Sequence, residues 1–157
     1  MTKDSEHEIR VLLVDDEDGF LDLAKKFFEK EVERIKLDVT ISPEKALDIL
    51  EKENYDAIVS DYKMPEMNGI EFLETLRAKG DSTPFIILTA RGNEEVAMQA
   101  LNKGANRYLR KDPYLDFRFH ELTRFIVEEV IRRKSEGELE TFQKWVTDIL
   151  KSRKEKE

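Results

Sequence analysis

The sequence predicts an α/β fold, because short apolar runs alternate with amphipathic helical segments throughout its first 134 residues. Five strands, each followed by a helix, give the order (βα)5. Right-handed crossovers then require a doubly wound parallel sheet with helices on both faces. We expect the flavodoxin-like strand order 2-1-3-4-5, with an additional amphipathic helix at the C-terminus.

The predicted strands are short and mostly apolar, as is typical of strands that helices cover on both faces. The second strand is less apolar than the others, so we expect it nearer an edge of the sheet. The predicted strands are Ile9–Val14, Leu37–Ile41, Ala57–Ser60, Phe85–Leu88 and Arg107–Arg110.

The helices between the strands are marked by apolar residues at three- and four-residue spacing and by capping residues. Ser42, Asn68 and Asn93 are predicted N-caps, Pro43 takes a first helical position, and Gly104 ends the fourth helix. The predicted buried faces are Phe20, Leu21, Ala24, Phe27 and Phe28, then Ala46, Leu47, Ile49 and Leu50, then Ile70, Phe72, Leu73 and Leu76, then Val96, Ala97, Ala100 and Leu101.

The C-terminal part departs from this alternation. The fifth helix is predicted over Phe119–Arg133, and Ser135, Glu136 and Gly137 are expected to break or bend it. A sixth amphipathic helix of about three turns is then expected, followed by a frayed, charged tail over Lys151–Glu157. The apolar residues of this predicted sixth helix are Leu139, Phe142, Trp145, Val146, Ile149 and Leu150.

The composition limits what the protein can be. There is no cysteine, which excludes disulfides and thiolate metal sites, and the two histidines, His7 and His120, form no metal pair. A net charge of −8 argues against direct DNA binding. No apolar run approaches the roughly 20 residues of a membrane span, and Met1–Glu8 does not resemble a signal peptide. We expect a cytoplasmic protein without membrane contact.

Polar side chains follow four of the predicted strands, at the point where each strand ends. Asp15 and Asp16 follow the first strand, Asp61 the third, Thr89 the fourth and Lys111 the fifth. Because the C-terminal ends of parallel strands lie on one edge of the sheet, we expect these side chains to converge on one pocket.

Asp61 is the best candidate nucleophile, because a carboxylate can accept a phosphoryl group covalently. Asp15 and Asp16 can supply oxygen ligands for Mg²⁺, one of them directly and the other through water. The backbone carbonyl of Lys63, two residues past Asp61, could complete the metal site.

Thr89 can donate a hydrogen bond to a phosphoryl oxygen, and Lys111 can pair with another. Each of these strand-end residues alone is more often a helix cap or a turn residue. Their occurrence together, each at a C-terminal strand end, favours the functional interpretation.

With these residues, the sequence resembles the receiver domain of two-component response regulators over about Ile9–Lys134. The resemblance rests on Val14-Asp15-Asp16, on Asp61 with Met64-Pro65 and Gly69, on Thr89-Ala90, and on Tyr108 and Lys111. It implies that Asp61 takes a phosphoryl group from a sensor histidine kinase or a histidine phosphotransfer protein. Mg²⁺ would then be held by Asp15, Asp16, Asp61 and the Lys63 carbonyl.

The resemblance also implies a switch. Thr89 would move toward the phosphate, Tyr108 would rotate inward behind it, and Lys111 would contact the phosphate. The change would reach the surface of the fourth helix, fifth strand and fifth helix. The protein would catalyse only its own phosphorylation and dephosphorylation.

Two residues depart from the pattern of the family. Family members usually have proline directly after the lysine, whereas Asp112 here separates Lys111 from Pro113. The loop is therefore expected to be longer or differently turned. Asn68 stands where an aspartate is common, and both residues are good helix caps.

Aspartates at the strand ends of an α/β sheet also occur in a different class of protein. Phosphatases of the haloacid dehalogenase type need a second aspartate two residues after the nucleophile. Lys63 stands there after Asp61, and Glu17 after Asp15, so neither position fits. A nucleotide-binding domain is disfavoured because no glycine-rich loop follows the first strand.

We divide the chain into a disordered tail (1–8), a receiver (9–134) and a C-terminal helix with a charged tail (135–157). The last 23 residues are too few for a helix-turn-helix effector domain. The chain could be a stand-alone receiver, a phosphorelay intermediate, or a receiver excised from a longer sensor kinase or regulator. A homodimer could form through the C-terminal helix or through the surface of the fourth helix, fifth strand and fifth helix.

Overall fold

The computed structural model describes residues 8–111 and 115–156, leaving aside the side chains of 115–118, 149 and 151–156. Five parallel strands form one sheet in the predicted order β2-β1-β3-β4-β5. The strands are β1 (Ile9–Val14), β2 (Ile35–Thr40), β3 (Ala57–Ser60), β4 (Phe85–Thr89) and β5 (Arg107–Arg110). The helices are α1 (Asp18–Glu31), α2 (Pro43–Lys52), α3 (Gly69–Ala78), α4 (Glu94–Asn102) and α5 (Leu115–Lys156).

The sheet separates two apolar cores, because successive side chains of a strand point to opposite faces. Val11 and Leu13 of β1 pack in the core covered by α1 and α5. Leu12 and Val14 pack in the core covered by α2, α3 and α4. The central strands are therefore buried on both faces, and the site at their ends rests on a rigid base.

The predicted caps are confirmed. Ser42 Oγ accepts a hydrogen bond from the Lys45 amide at 3.2 Å. Asn68 forms a reciprocal capping box with Glu71 at the start of α3. Each cap satisfies an amide that the first helical turn would otherwise leave without a partner. These caps fix where α2 and α3 begin relative to the preceding strand end.

Three details of the helices and strands differ from the prediction. The strand β4 includes Thr89, one residue beyond the predicted end at Leu88. The edge strand β2 begins at Ile35, two residues earlier than expected, and it ends at Thr40, one residue earlier than expected. Leu101 was expected in the buried face of α4, but 49% of it is exposed. Gly104 does adopt a left-handed conformation after α4, with φ 108°.

The expected break in the last helix is wrong. The helix α5 runs without interruption from Leu115 to Lys156, through Gly137 and into the charged tail. A glycine inside a helix costs about 1 kcal/mol, and the strong helix formers on both sides offset that cost. Consequently this part of the helix does not fold back onto its own receiver, and Leu139, Phe142, Trp145 and Leu150 are exposed.

Some expectations concern residues that the structure does not describe. The tail over 1–7 is one of them, and the loop in which Asp112 separates Lys111 from Pro113 is the other. Within the described residues, no helix has both the length and the apolar character needed to cross a membrane.

Candidate phosphoacceptor site

The three predicted carboxylates meet at the C-terminal edge of the sheet. Oxygen atoms of Asp15, Asp16 and Asp61 lie within 4.8 Å of one another. Asp15 and Asp61 are buried, whereas Asp16 is exposed at the mouth of the site. Three hard oxygen donors at this spacing could hold a small divalent cation.

The Lys111 ammonium contacts two of these carboxylates, although Lys111 and Asp15 are 96 residues apart in the sequence. Its Nζ is 2.6 Å from Asp15 Oδ2 and 3.5 Å from Asp61 Oδ2. The same ammonium lies 4.0 Å from the centre of the Phe20 ring, which adds a cation–π contact. Lys111 therefore contributes the positive charge that these two buried carboxylates contact.

Burial raises the pKa of Asp15 to about 6, even though the nearby Lys111 ammonium favours the charged carboxylate. Asp15 Oδ1 also accepts a hydrogen bond from the Glu17 amide at 2.9 Å. The negative charge of Asp61 contributes to the upward shift. The site thus holds more negative charge than its own protein groups stabilise.

Asp61 is held in place by its backbone neighbours. The Asp61 amide donates to the Val14 carbonyl at 2.9 Å, and Asp61 Oδ1 accepts from the Tyr62 amide at 2.8 Å. Gly69 explains how α3 can begin so close to this residue, because a Cβ at Gly69 would lie 2.2 Å from the Asp61 carbonyl oxygen. The glycine lets the start of α3 pack directly on the candidate nucleophile's backbone.

Thr89 ends β4 with a fully buried side chain. Its Oγ1 accepts a hydrogen bond from the Arg91 amide at 3.1 Å, so its own proton remains available for donation. Its carbonyl accepts from the Lys111 amide at 2.9 Å. Thr89 and Lys111 are therefore adjacent through the backbone of the sheet.

Tyr108 lies next to Thr89, with its hydroxyl buried against Gly92. A Cβ at Gly92 would lie 1.7 Å from Tyr108 Oη and 3.2 Å from Thr89 Cγ2. Among the described residues Tyr108 Oη has no hydrogen-bond partner. Burial raises the pKa of Tyr108, as expected for a phenol without a partner for its charged form.

Lys63 is placed in the loop between β3 and α3, with an exposed side chain. The proposed role of its carbonyl as a metal ligand stays a prediction. The remaining site residues converge as the strand ends suggested. The sequence did not reveal three contacts of the site. The Phe20 ring lies against the Lys111 ammonium, and the Tyr62 amide donates to the Asp61 carboxylate. Gly92 lies beside the Tyr108 hydroxyl.

Fold and site together define a flavodoxin-like domain with an acidic pocket at the C-terminal edge of its sheet. Residues 11–125 match the model of the response regulator receiver domain, and the chain belongs to this family of two-component signalling domains.

Known relatives agree with this assignment. The response regulator SaeR of Staphylococcus aureus (strain USA300) is 35% identical over 101 residues, which are 64% of this chain and 43% of SaeR. The structure of the Francisella response regulator 1452 receiver domain is 32% identical, with a TM-score of 0.71, over 80% of this chain and 99% of that one. A response regulator receiver domain protein from Clostridium thermocellum is 26% identical, with a TM-score of 0.71, over 80% and 97% of the two chains.

Proposed function

We propose that Asp61 accepts a phosphoryl group from the phosphohistidine of a sensor histidine kinase or a histidine phosphotransfer protein. The observation that carries this proposal is the convergence of Asp15, Asp61 and Lys111 at one sheet edge in a receiver fold. The protein would act as a switch, and its only catalysis would be its own phosphorylation and dephosphorylation.

The donor set fits Mg²⁺, since carboxylate and carbonyl oxygens are the ligands this ion prefers. Asp15, Asp16, Asp61 and the Lys63 carbonyl would hold it. When bound, the ion would neutralise negative charge on the transferring phosphoryl group. It would also relieve the repulsion among three carboxylates that lie within 4.8 Å.

The transfer itself needs little from the protein beyond position and charge. A carboxylate oxygen of Asp61 forms a bond to phosphorus while the P–N bond to the donor imidazole breaks. The released histidine nitrogen keeps the electron pair of that bond. The Tyr62 amide, 2.8 Å from Asp61 Oδ1, orients the attacking group.

Lys111 and Thr89 would respond to the product. An attached phosphoryl group adds about −1.5 to −2 charge, which competes with Asp15 for the Lys111 ammonium. The Thr89 hydroxyl can donate to a phosphoryl oxygen. Because Thr89 lies against Gly92 and Tyr108, its movement would alter the packing of the Tyr108 ring.

The action of the switched protein on its target is a separate step from phosphorylation. The chain spans about two fifths of the length of its SaeR relative. We propose that the switched surface docks to a partner protein. A net charge of −8 does not favour direct contact with DNA.

Labelling with acetyl phosphate in the presence of Mg²⁺ tests the proposal. Asp61→Asn should abolish labelling, whereas Asp48→Asn, an exposed aspartate on α2, should leave it unchanged. Asp16→Ala should weaken Mg²⁺ binding measured by calorimetry. Labelling of the Asp61→Asn protein at the wild-type rate, or turnover of general phosphomonoesters, would contradict the assignment.

A further inference from the structure

The C-terminal half of α5 carries an apolar face that the described part of the chain leaves uncovered. Leu139, Phe142, Trp145 and Leu150 are 56%, 57%, 58% and 55% exposed, and with the half-buried Val146 they form what we call the C-terminal apolar face. The rings of Phe142 and Trp145 contact each other, with centroids 5.9 Å apart. A continuous apolar surface of this kind indicates an interaction site.

This face points away from the receiver to which it is attached. Leu122 and Ile126 are buried against the sheet, and Phe142 follows Ile126 by sixteen residues of uninterrupted helix. At 100° per residue, Phe142 lies about 160° round the helix axis from Ile126. Because α5 continues through Gly137, the face cannot reach its own receiver.

The contacts of α5 with the receiver end before the apolar face begins. Arg133 donates a hydrogen bond to Ser82 Oγ at 3.4 Å. All residues from Ile131 to Trp145 are exposed. Further along, the hydroxyls of Thr141 and Thr147 bond to carbonyls of the preceding turn of the same helix. Among the described residues, none of the receiver covers this face, and it is open to another molecule.

The spacing of the face indicates what that molecule is. Leu139, Phe142, Val146 and Ile149 follow one another at steps of three, four and three residues, which is the a/d pattern of a coiled coil. The opposite side of the helix carries Glu140, Lys144 and Thr147. An apolar seam of this kind, with Trp145 and Leu150 beside it, is complementary to a copy of itself about a two-fold axis.

We propose that the C-terminal apolar face packs against the same face of a second copy of this chain. Two heptads form a short coiled coil, so the association is reversible and depends on concentration. This interface is separate from the phosphoacceptor site, and it does not depend on the chemistry proposed for Asp61.

Sedimentation equilibrium of the full chain tests the proposal. The wild-type mass should rise from one chain to two with concentration. Substituting both Leu139→Glu and Phe142→Glu should raise the dissociation constant at least about tenfold, because both side chains take a or d positions of the seam. The matched control, Thr141→Glu with Thr147→Glu, adds the same two charges off the seam and should change the constant less than about twofold.

Trp145 is the only tryptophan of the chain, so its fluorescence reports on this interface directly. Its emission should shift to shorter wavelength, and acrylamide should quench it less, over the concentration range in which the mass doubles. The seam variant should retain the emission of an exposed indole, with far-UV circular dichroism showing that it is folded.

Three results would overturn the proposal. One is a wild-type chain that stays monomeric up to about 1 mM, the weak end of measurable affinity. Another is a seam variant that dimerises as tightly as the wild type, since the interface would then lie elsewhere. The third is a Trp145 emission that does not change while the mass doubles.

Discussion

At the scale of single residues, the site brings together more carboxylate charge than the ammonium of Lys111 can balance. Lys111 Nζ lies 2.6 Å from Asp15 and 3.5 Å from Asp61, yet burial still raises the pKa of Asp15 to about 6. Without a bound cation, a cluster of this kind is expected to reduce the stability of the fold, as binding sites often do. The charge imbalance is what makes the pocket receptive to a cation.

Replacing Asp15 by asparagine should therefore stabilise the protein in the absence of divalent cations. The folded pKa of about 6 lies above the unfolded value of about 3.9. Folding thus favours the protonated acid, and this contribution is lost as the pH rises through about 6. Asp15→Asn should raise the free energy of unfolding by about 1–3 kcal/mol at pH 7, and by much less at pH 4.

Urea unfolding at the two pH values measures this difference. Asp16→Asn is the matched control, because Asp16 belongs to the same cluster but is exposed. A gain for Asp15→Asn that is equal at pH 4 and pH 7 would show that ionisation of Asp15 is not its cause.

The close contact between Tyr108 and Gly92 predicts how substitutions at these two residues change the free energy of unfolding. Since Tyr108 Oη is buried without a partner, Tyr108→Phe should leave stability unchanged or raise it by up to about 1 kcal/mol. Gly92→Ala should cost about 1–3 kcal/mol, because its methyl group would overlap the phenol. The cost should fall when Tyr108 is alanine, and a double-mutant cycle of unfolding free energies measures this coupling. Equal costs in both backgrounds would contradict the contact.

Sequence reasoning found Asp15, Asp61 and Lys111 because each follows a short apolar strand, and strand ends of one polarity share an edge. It could not find the pairing of Gly92 with Tyr108. That contact joins residues of two different segments, and no local period or spacing reports how closely two side chains approach. The same reason hid the contact of Phe20 with Lys111, since Phe20 fitted the apolar period of α1.

At the scale of elements, the sequence predicted each strand and cap but not the continuity of the last helix. The stretch Ser135–Gly137 looked like a break because serine and glycine are poor helix formers. A Cβ at Gly137 would meet nothing within 4 Å, so this glycine is not required by any close contact. The helical residues on both sides therefore decide the conformation, and α5 stays intact through Gly137.

The continuity of α5 changes what its apolar period means. With a bend at Gly137, the apolar residues could have covered the receiver of the same chain. In one uninterrupted helix they lie on the side of the helix opposite Leu122 and Ile126, which are buried against the sheet. A periodic pattern reveals that a helix has an apolar face, but only the tertiary structure reveals what that face points toward.

At the scale of the whole molecule, one arginine connects the site to the distal surface. Arg107 precedes Tyr108 in β5, and its guanidinium lies 3.0 Å from the buried Glu129 and 2.8 Å from Glu128 in α5. It also lies 4.2 Å from the centre of the Phe125 ring. Tyr108 directly follows Arg107, whose contacts hold α5 against β5. A change in the packing of Tyr108 can therefore alter those contacts.

Hydrogen exchange should show this coupling when beryllofluoride and Mg²⁺ are added. Amide exchange rates should change in α4, in β5 and in the part of α5 that contains Glu128 and Glu129, besides the loops around Asp61. The Asp61→Asn protein should show none of these changes, because it lacks the carboxylate that would bind the phosphoryl mimic. Tyr108→Ala should keep the changes near Asp61 and lose those in α5, because the ring that connects Thr89 to β5 is removed. A wild-type response confined to the loops around Asp61 would show that the site does not communicate with this surface.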